Sequence, residues 1–382
     1  MNSQKVLTGI LLVLGGLLAY SIYEKKKVVE APPKIPQIQV PITPTFPDEP
    51  EEKSFSFEEA LNTVDENAIK DNLTYLASDE LEGRMSGKSG NIKAFEWLKK
   101  QFEDLGYNVE MQKFSIRGGV NNGPKNEVGD SYSQNLIAWL PGNELKNEII
   151  VVGAHGDHIG YGPSYSRTPN RREVHNGADD NASGTTVALE MAKVIAKLKD
   201  KIKRTWCFQI YSGEEMGLVG SRYYVKNPML PKESPSIRNH ILMLNMDMVG
   251  YLSNRQYMAS YYVGESSAPS VDGIINKLSN KYPFAQRITS RRSGGSDHAS
   301  YLSAGVPVVM LHTGMHAYYH TPDDDASRIN FDGMEQISKY ALEILWQVDQ
   351  DSSKPTFNPG ALKNLDLTRD HNFVKFSEGI KE

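Results

Sequence analysis

The sequence predicts a single α/β domain, a mixed, largely parallel central sheet covered by helices on both faces. Apolar runs at 135–140 (NLIAWL), 148–155 (EIIVVGAH), 204–212 (RTWCFQIYS), 240–250 (HILMLNMDMVG) and 306–311 (VPVVML) read as strands. They are continuous rather than alternating, the pattern of strands buried on both faces. Helical periodicity over 182–199, 215–226, 270–279 and 331–349 separates most of them. Strands and helices in that alternation build a sheet with helices on either side.

From the amino terminus the first element is of a different kind. Val6 to Tyr23 holds 18 residues without a charge, about 27 Å as a helix and close to the thickness of a bilayer core. Residues 1–23 are therefore expected to be a signal anchor or a signal peptide, with Ala19-Tyr20-Ser21 as a small-x-small cleavage site. Uncleaved, residues 6–23 would hold the chain in a membrane. Lys25, Lys26 and Lys27 outnumber Lys5 and the amino terminus, a balance that slightly favours a cytoplasmic domain under the positive-inside rule. Export, to a periplasmic or cell-surface location, anchored or secreted, is nevertheless the expectation. Residues 24–54 are proline-rich and read as a semi-rigid linker.

Residues 55–350 form the expected main domain. Ser56 to Glu59 has the form of a capping box, and one amphipathic helix is predicted from there towards Ala77. DELEGRMSGKSG (79–90) is a turn-rich loop, followed by a helix from Asn91 to Leu105 that Gly106 stops. Cys207, the sole cysteine, is expected to be a small buried strand residue, so neither a disulfide nor a thiolate metal site is available within the chain. With 382 residues and a net charge of −5, nothing points to nucleic acid. Residues 351–382 are a polar tail expected to lie over the surface.

Residues able to bind metal recur just past the carboxyl ends of the predicted strands. These are His155, Asp157 and His158; Asp179 and Asp180 at the start of a helix; Glu214 and Glu215; Asp247; and His312, His316 and His320. Ligands of open α/β sheets bind in the crevice outside those strand ends. So many carboxylates converging there would repel one another unless cations sit among them.

GAHGDH, GADDNASG, SGEEMGLVGS, NMDMVG, SGGSDHASY and YHTPDD, in this order, resemble the successive motifs of the M28 zinc peptidases. That family includes bacterial aminopeptidases and, more distantly, glutaminyl cyclases. The resemblance runs from about Leu73 to Gln347 and implies two zinc ions per chain. It places His155 and Asp247 on one ion, Glu215 and His320 on the other, and Asp180 between them. Glu214 matches the general base, Asp157 the carboxylate that orients His155, and Tyr319 a phenol that some relatives place near the substrate carbonyl. The chemistry suits these types. One carboxylate can bridge two cations, and a free carboxylate beside a bound one can move a proton. The segment from Asp79 to Asn135 is too short for the protease-associated domain that some relatives insert.

Competing readings remain at several positions. Asp179 would cap the 182–199 helix or support the site, and Asp180 could cap as well. His158 reads as a loop or supporting residue, and His316 is an alternative to His320. Asp297 and His298 read as site-wall or structural; His175, His240 and His371 carry no motif. The Gly-, Pro- and Arg-rich segment 160–176 is expected at the cleft mouth.

The function expected from the resemblance is a two-zinc exopeptidase acting on peptides with a free amino terminus, with Glu214 serving the attacking water as base. Alternatives are a single-zinc glutaminyl cyclase, a carboxypeptidase or dipeptidase on the same fold, and a catalytically dead binding scaffold. An exported domain should be cleaved by protease added to intact cells; full protection would place it inside.

Overall fold

The computed structural model describes residues 54–116, 131–162, 165–252, 258–263, 266–290 and 295–364. The charge-free run 6–23, His371 and the end of the tail lie outside them. Among the described residues no helix is long and apolar enough to cross a membrane.

The described residues place eight strands in one sheet, β1 (Asn108–Ile116), β2 (Ser131–Leu140), β3 (Leu145–His155), β4 (Arg204–Tyr211), β5 (His240–Met246), β6 (Met258–Val263), β7 (Ala285–Ser290) and β8 (Val308–His312). Their spatial order is β1-β2-β4-β3-β5-β8-β6-β7. The four central strands β4, β3, β5 and β8 are parallel. β2 joins β4 antiparallel and carries β1, while β6 joins β8 antiparallel and carries β7. The sheet is thus mixed with a parallel centre, as predicted. β1, β6 and β7 escaped the sequence reading because they carry no continuous apolar run. Only three of the nine residues of β1 are buried, as befits an outer strand.

Among the described residues the α-helices are α1 (Phe57–Leu61), α2 (Glu66–Leu76), α3 (Ser89–Asp104), α4 (Gly184–Ala196), α5 (Val219–Lys226), α6 (Pro269–Leu278), α7 (His298–Ser303) and α8 (Phe331–Gln350). Alternate strand residues point to opposite faces, and the two cores follow that period. Ile150, Val152 and Ala154 of β3 and Trp206, Phe208 and Ile210 of β4 pack with α2, α3, α4 and α8. Ile149, Val151, Cys207 and Tyr211 pack on the other face with Tyr224 of α5 and Tyr301 of α7. Cys207 is fully buried, as expected.

Two local expectations need correction. The capping box at Ser56 exists, with Ser56 Oγ accepting from Glu59 N at 3.2 Å and the Glu59 carboxylate accepting from Ser56 N at 2.8 Å. That helix nevertheless stops at Leu61. Asp65 caps a second helix by accepting from Asn67 N at 2.9 Å, and its own N–H donates to Glu190 at 3.0 Å. A tertiary bond to α4 thereby outweighs helix continuation. The tail also does more than lie on the surface, since Phe357 and Ala361 pack into the second core.

Phe208 is fully buried, with the rings of Tyr107 at 5.5 Å and Phe102 at 5.9 Å. Phe208→Ala should lower the unfolding free energy by about 3–5 kcal/mol. Denaturant unfolding of the metal-free protein measures this, and a loss under about 1 kcal/mol would contradict the packing described.

Candidate metal centre

Parallel register gathers the site. His155 pairs with Tyr211, Gly153 with Asn245 and Met246 with Leu311, so the carboxyl ends of β3, β4, β5 and β8 lie side by side. Residues just past each of these strand ends therefore fall into one crevice. β3 delivers His155 at its last position, then Asp157 and His158. After β4, Gly213 turns the chain at φ 77°, presenting Glu214 and Glu215 in a turn that precedes α5; the predicted helix start at 215 is therefore four residues early. Asp247 directly follows β5. Asp179 and Asp180 sit in the irregular turn Ala178–Ser183 before α4, and His320 lies in the loop after β8.

Within the crevice Asp180 faces two ways. Its Oδ1 is 3.2 Å from His155 Nε2, which is also 3.4 Å from Asp247 Oδ1. Its Oδ2 is 3.1 Å from His320 Nε2, which is also 3.0 Å from Glu215 Oε2. The result is two donor sets sharing one carboxylate: His155, Asp180 and Asp247 on one side; Asp180, Glu215 and His320, with His158 beside them, on the other. All five residues that the sequence singled out as metal ligands are brought together. The other nitrogen of each of the two imidazoles is committed to the main chain. His155 Nδ1 donates to the Asp157 carbonyl at 3.2 Å, and His320 Nδ1 to that of Tyr165 at 3.0 Å. Such bonds leave Nε2 of each ring aimed into the crevice.

Supporting contacts refine the expectations. The Asp157 carboxylate lies 3.7 Å from His155 Nδ1, beyond the carbonyl, and accepts the backbone N–H of Glu214 at 3.3 Å. It therefore links the β3 exit to the glutamate pair as well as facing His155. His158 Nδ1 donates to Glu215 Oε1 at 2.8 Å, leaving Oε2 for the His320 side. Asp179 caps no helix. It accepts from Gly250 N at 2.6 Å and from His316 Nε2 at 3.1 Å, while Asn181 caps α4 by accepting from Gly184 N at 2.9 Å. His316 stacks on Tyr251 and belongs to neither donor set.

Asp324, which the sequence reading passed over, accepts the N–H groups of Asp179 at 2.9 Å and Asp180 at 3.1 Å. It is one of three successive aspartates, and the sequence carries no signal of which turns inward. Asp297 and His298 are buried behind the site. Tyr319 stacks on His320 with ring centroids 3.9 Å apart. Within the segment 160–176, residues 165–167 lie against His320, with Arg167 N donating to the His320 carbonyl at 2.9 Å. Arg171 also reaches Asp323 at 2.7 Å.

The electrostatics separate the two glutamates. Burial, with Asp247, Glu215 and Asp297 behind it, pushes Glu214 well above the usual carboxylate range against the pull of His155. Burial acts on Glu215 as well, yet the His320 charge and bonds from His158 and His320 hold it down to about 2. Asp180 is likewise held low, because its contacts with His155 and His320 outweigh burial. Burial would depress the histidines, but Asp247 and Glu214 carry His155 well above its usual value, and Glu215 and Asp180 carry His320 to about 11. Burial raises Asp297 to about 7.

The donor set fits metal ions. His155 Nε2, His320 Nε2 and Asp180 Oδ2 are buried, and they face one another and the Asp247 and Glu215 carboxylates as ion pairs. With the imidazoles neutral, lone pairs would face carboxylate oxygens, which is costly when buried, and a cation at each set would satisfy them. Imidazole with carboxylate, without thiolate, is a ligand chemistry that zinc accepts.

Comparison with known proteins agrees. The model of peptidase family M28 matches residues 135–345. The chain is similar to leucine aminopeptidase 1 of Sclerotinia sclerotiorum, 30% identical over 268 residues, covering 66% of this chain and 64% of that one. It thus spans just under two thirds of that relative. In fold it is similar to a zinc aminopeptidase from Bacillus subtilis, with a TM-score of 0.61 at 19% identity over 76% of this chain and 96% of the other. It is equally similar to the glutaminyl cyclase of Porphyromonas gingivalis, with a TM-score of 0.62 at 18% identity over 74% and 98% of the two chains.

With their pKa values raised, His155 and His320 carry protons at pH 7 in the metal-free protein, and metal requires the neutral imidazoles. Zinc uptake at pH 7 should therefore release on the order of two protons per chain, and zinc affinity should fall as pH falls. Calorimetry in buffers of different ionisation enthalpy measures the release. A binding heat independent of buffer would contradict the protonation described.

Proposed function

The chain belongs to peptidase family M28, and on that premise we propose that it is a two-zinc aminopeptidase removing the amino-terminal residue from peptides. One observation carries the proposal: Asp180 turns its two oxygens towards two separate imidazole–carboxylate pairs, His155 with Asp247 and His320 with Glu215. One carboxylate shared between two complete donor sets suits a paired-ion hydrolase. The names of the Sclerotinia leucine aminopeptidase and the Bacillus zinc aminopeptidase support the same reading.

Zinc, when bound, supplies Lewis acidity for the scissile carbonyl and lowers the pKa of water towards about 7. The chain's own residues do the rest. Glu215 is committed to His158 and His320, whereas Glu214, its neighbour in the turn, belongs to neither donor set. Half-buried and raised in pKa, Glu214 is suited to take a proton from the attacking water and return it to the leaving amine. Asp157 holds the Glu214 backbone, which fixes where that carboxylate starts. Tyr319, whose phenol is raised well above its usual value by burial and then by Asp180 and Glu215, keeps its proton. It can donate to oxygen charge developing on the substrate.

The likeness in fold to the Porphyromonas enzyme makes cyclisation of an amino-terminal glutamine the second reading. The complete His155 and Asp247 side favours hydrolysis. A panel of aminoacyl arylamides, amino-blocked peptides and glutaminyl peptides separates the two. Chelation should abolish arylamide hydrolysis, zinc should restore it, and blocked peptides should remain intact. Glu214→Gln should lose about 10²–10⁴-fold in kcat while keeping both zinc ions. Full activity in that variant would remove Glu214 from the role, and cleavage of blocked peptides would remove the aminopeptidase assignment.

A further inference from the structure

The turn Asp79–Arg84 stands apart from the strand ends, yet it reaches into the centre. Glu82, Gly83 and Arg84 have φ of 50°, 65° and 45°, three successive residues in the left-handed region where side chains are disfavoured. Gly83 is wedged between two other segments. A Cβ there would sit 2.4 Å from the His175 carbonyl oxygen and 2.6 Å from that of Gly160. The turn drives Arg84 inward, where it is 1% exposed. Its guanidinium donates to the carbonyls of Gly156 at 3.1 Å, Asn176 at 2.7 Å and Gly177 at 3.0 Å, and to that of Leu76. The main chain adds bonds from Gly160 N to Gly83 O at 3.0 Å and from His158 N to Arg84 O at 3.3 Å.

Gly156 lies between His155 and Asp157, and Asn176 and Gly177 run directly into the turn that bears Asp180. One planar fork therefore ties together the segments carrying His155 and Asp180, two of the three residues in the His155–Asp180–Asp247 set. In the set with Glu215 and His320, only Asp180 is held this way. The guanidinium also places a positive charge in the field of Asp324, Asp157, Asp180 and Glu215. A lysine keeps the charge but cannot reproduce a fork directed at several carbonyls.

We propose that Arg84 is a positioning residue for the metal centre. By bonding Gly156, Asn176 and Gly177 together it sets the spacing of His155 from Asp180, and so the affinity of the His155–Asp180–Asp247 set for its ion. The inference rests on the two-zinc reading.

The test uses the full chain, wild type and with Arg84→Lys and Arg84→Met, stripped of metal and titrated with zinc under chelator competition. In Arg84→Lys one ion should bind as in the wild type and the other about 10–100-fold more weakly, with kcat recovering as zinc is raised. A merely structural role would lower the melting temperature without separating the two ions. If Arg84→Met does not fold, Arg84→Lys, which keeps the charge and the aliphatic stem, still decides. Two wild-type affinities in a folded variant, or equal weakening of both, overturns the assignment of Arg84. A wild-type chain that takes up fewer than two zinc ions overturns the two-zinc reading and the assignment with it.

Discussion

Asp180 sits with one carboxylate oxygen 3.2 Å from His155 and the other 3.1 Å from His320, and much of the surrounding structure holds it in that attitude. Asp324 fixes its backbone N–H, Asn181 caps the next helix, and Asp179 ties the preceding position to Gly250. A buried carboxylate beside two other acids, Glu215 and Asp247, is stable only with compensating positive charge. In the metal-free protein the protonated histidines provide it. Metal ions would do so more completely, while releasing the imidazoles to act as ligands.

The two glutamates after β4 show how adjacent residues acquire opposite chemistry. Both are half-buried, and burial alone raises both. Glu215 receives hydrogen bonds from His158 and His320 and ends far below the usual range, whereas Glu214 faces acids and ends above it. Pairs of titratable groups driven apart by their surroundings mark acid–base assignments. Here the separation arises because a turn, not a helix, comes after Gly213, so the two side chains leave in different directions.

The sheet supplies rigidity and the loops supply chemistry. The central parallel strands are packed on both faces by side chains that largely alternate between two cores, which leaves their ends little freedom to drift. Residues 165–167 then lie against His320, where the Tyr165 carbonyl decides which imidazole nitrogen is free. A site built on strand ends and trimmed by loops keeps its ligand geometry while its mouth can vary.

Much of this was legible in the sequence. Continuous apolar runs identified β3, β4, β5 and β8, because burial on both faces leaves a one-dimensional trace. Candidate metal-binding residues were legible where these runs end, and the resemblance to the M28 peptidases singled out five of them. Outer strands β1, β6 and β7 left no such trace. Nor could the sequence tell that the first helix breaks at Leu61, where a bond from Asp65 N–H to Glu190 across 125 positions intervenes. The sequence determined which residues stand at the strand ends. Only the tertiary structure decided that Asp324 rather than its two neighbours turns inward, that Asp179 holds His316 instead of capping α4, and that Arg84 spans two loops. Those outcomes depend on hydrogen bonds between segments far apart in the chain, whose register no local pattern encodes.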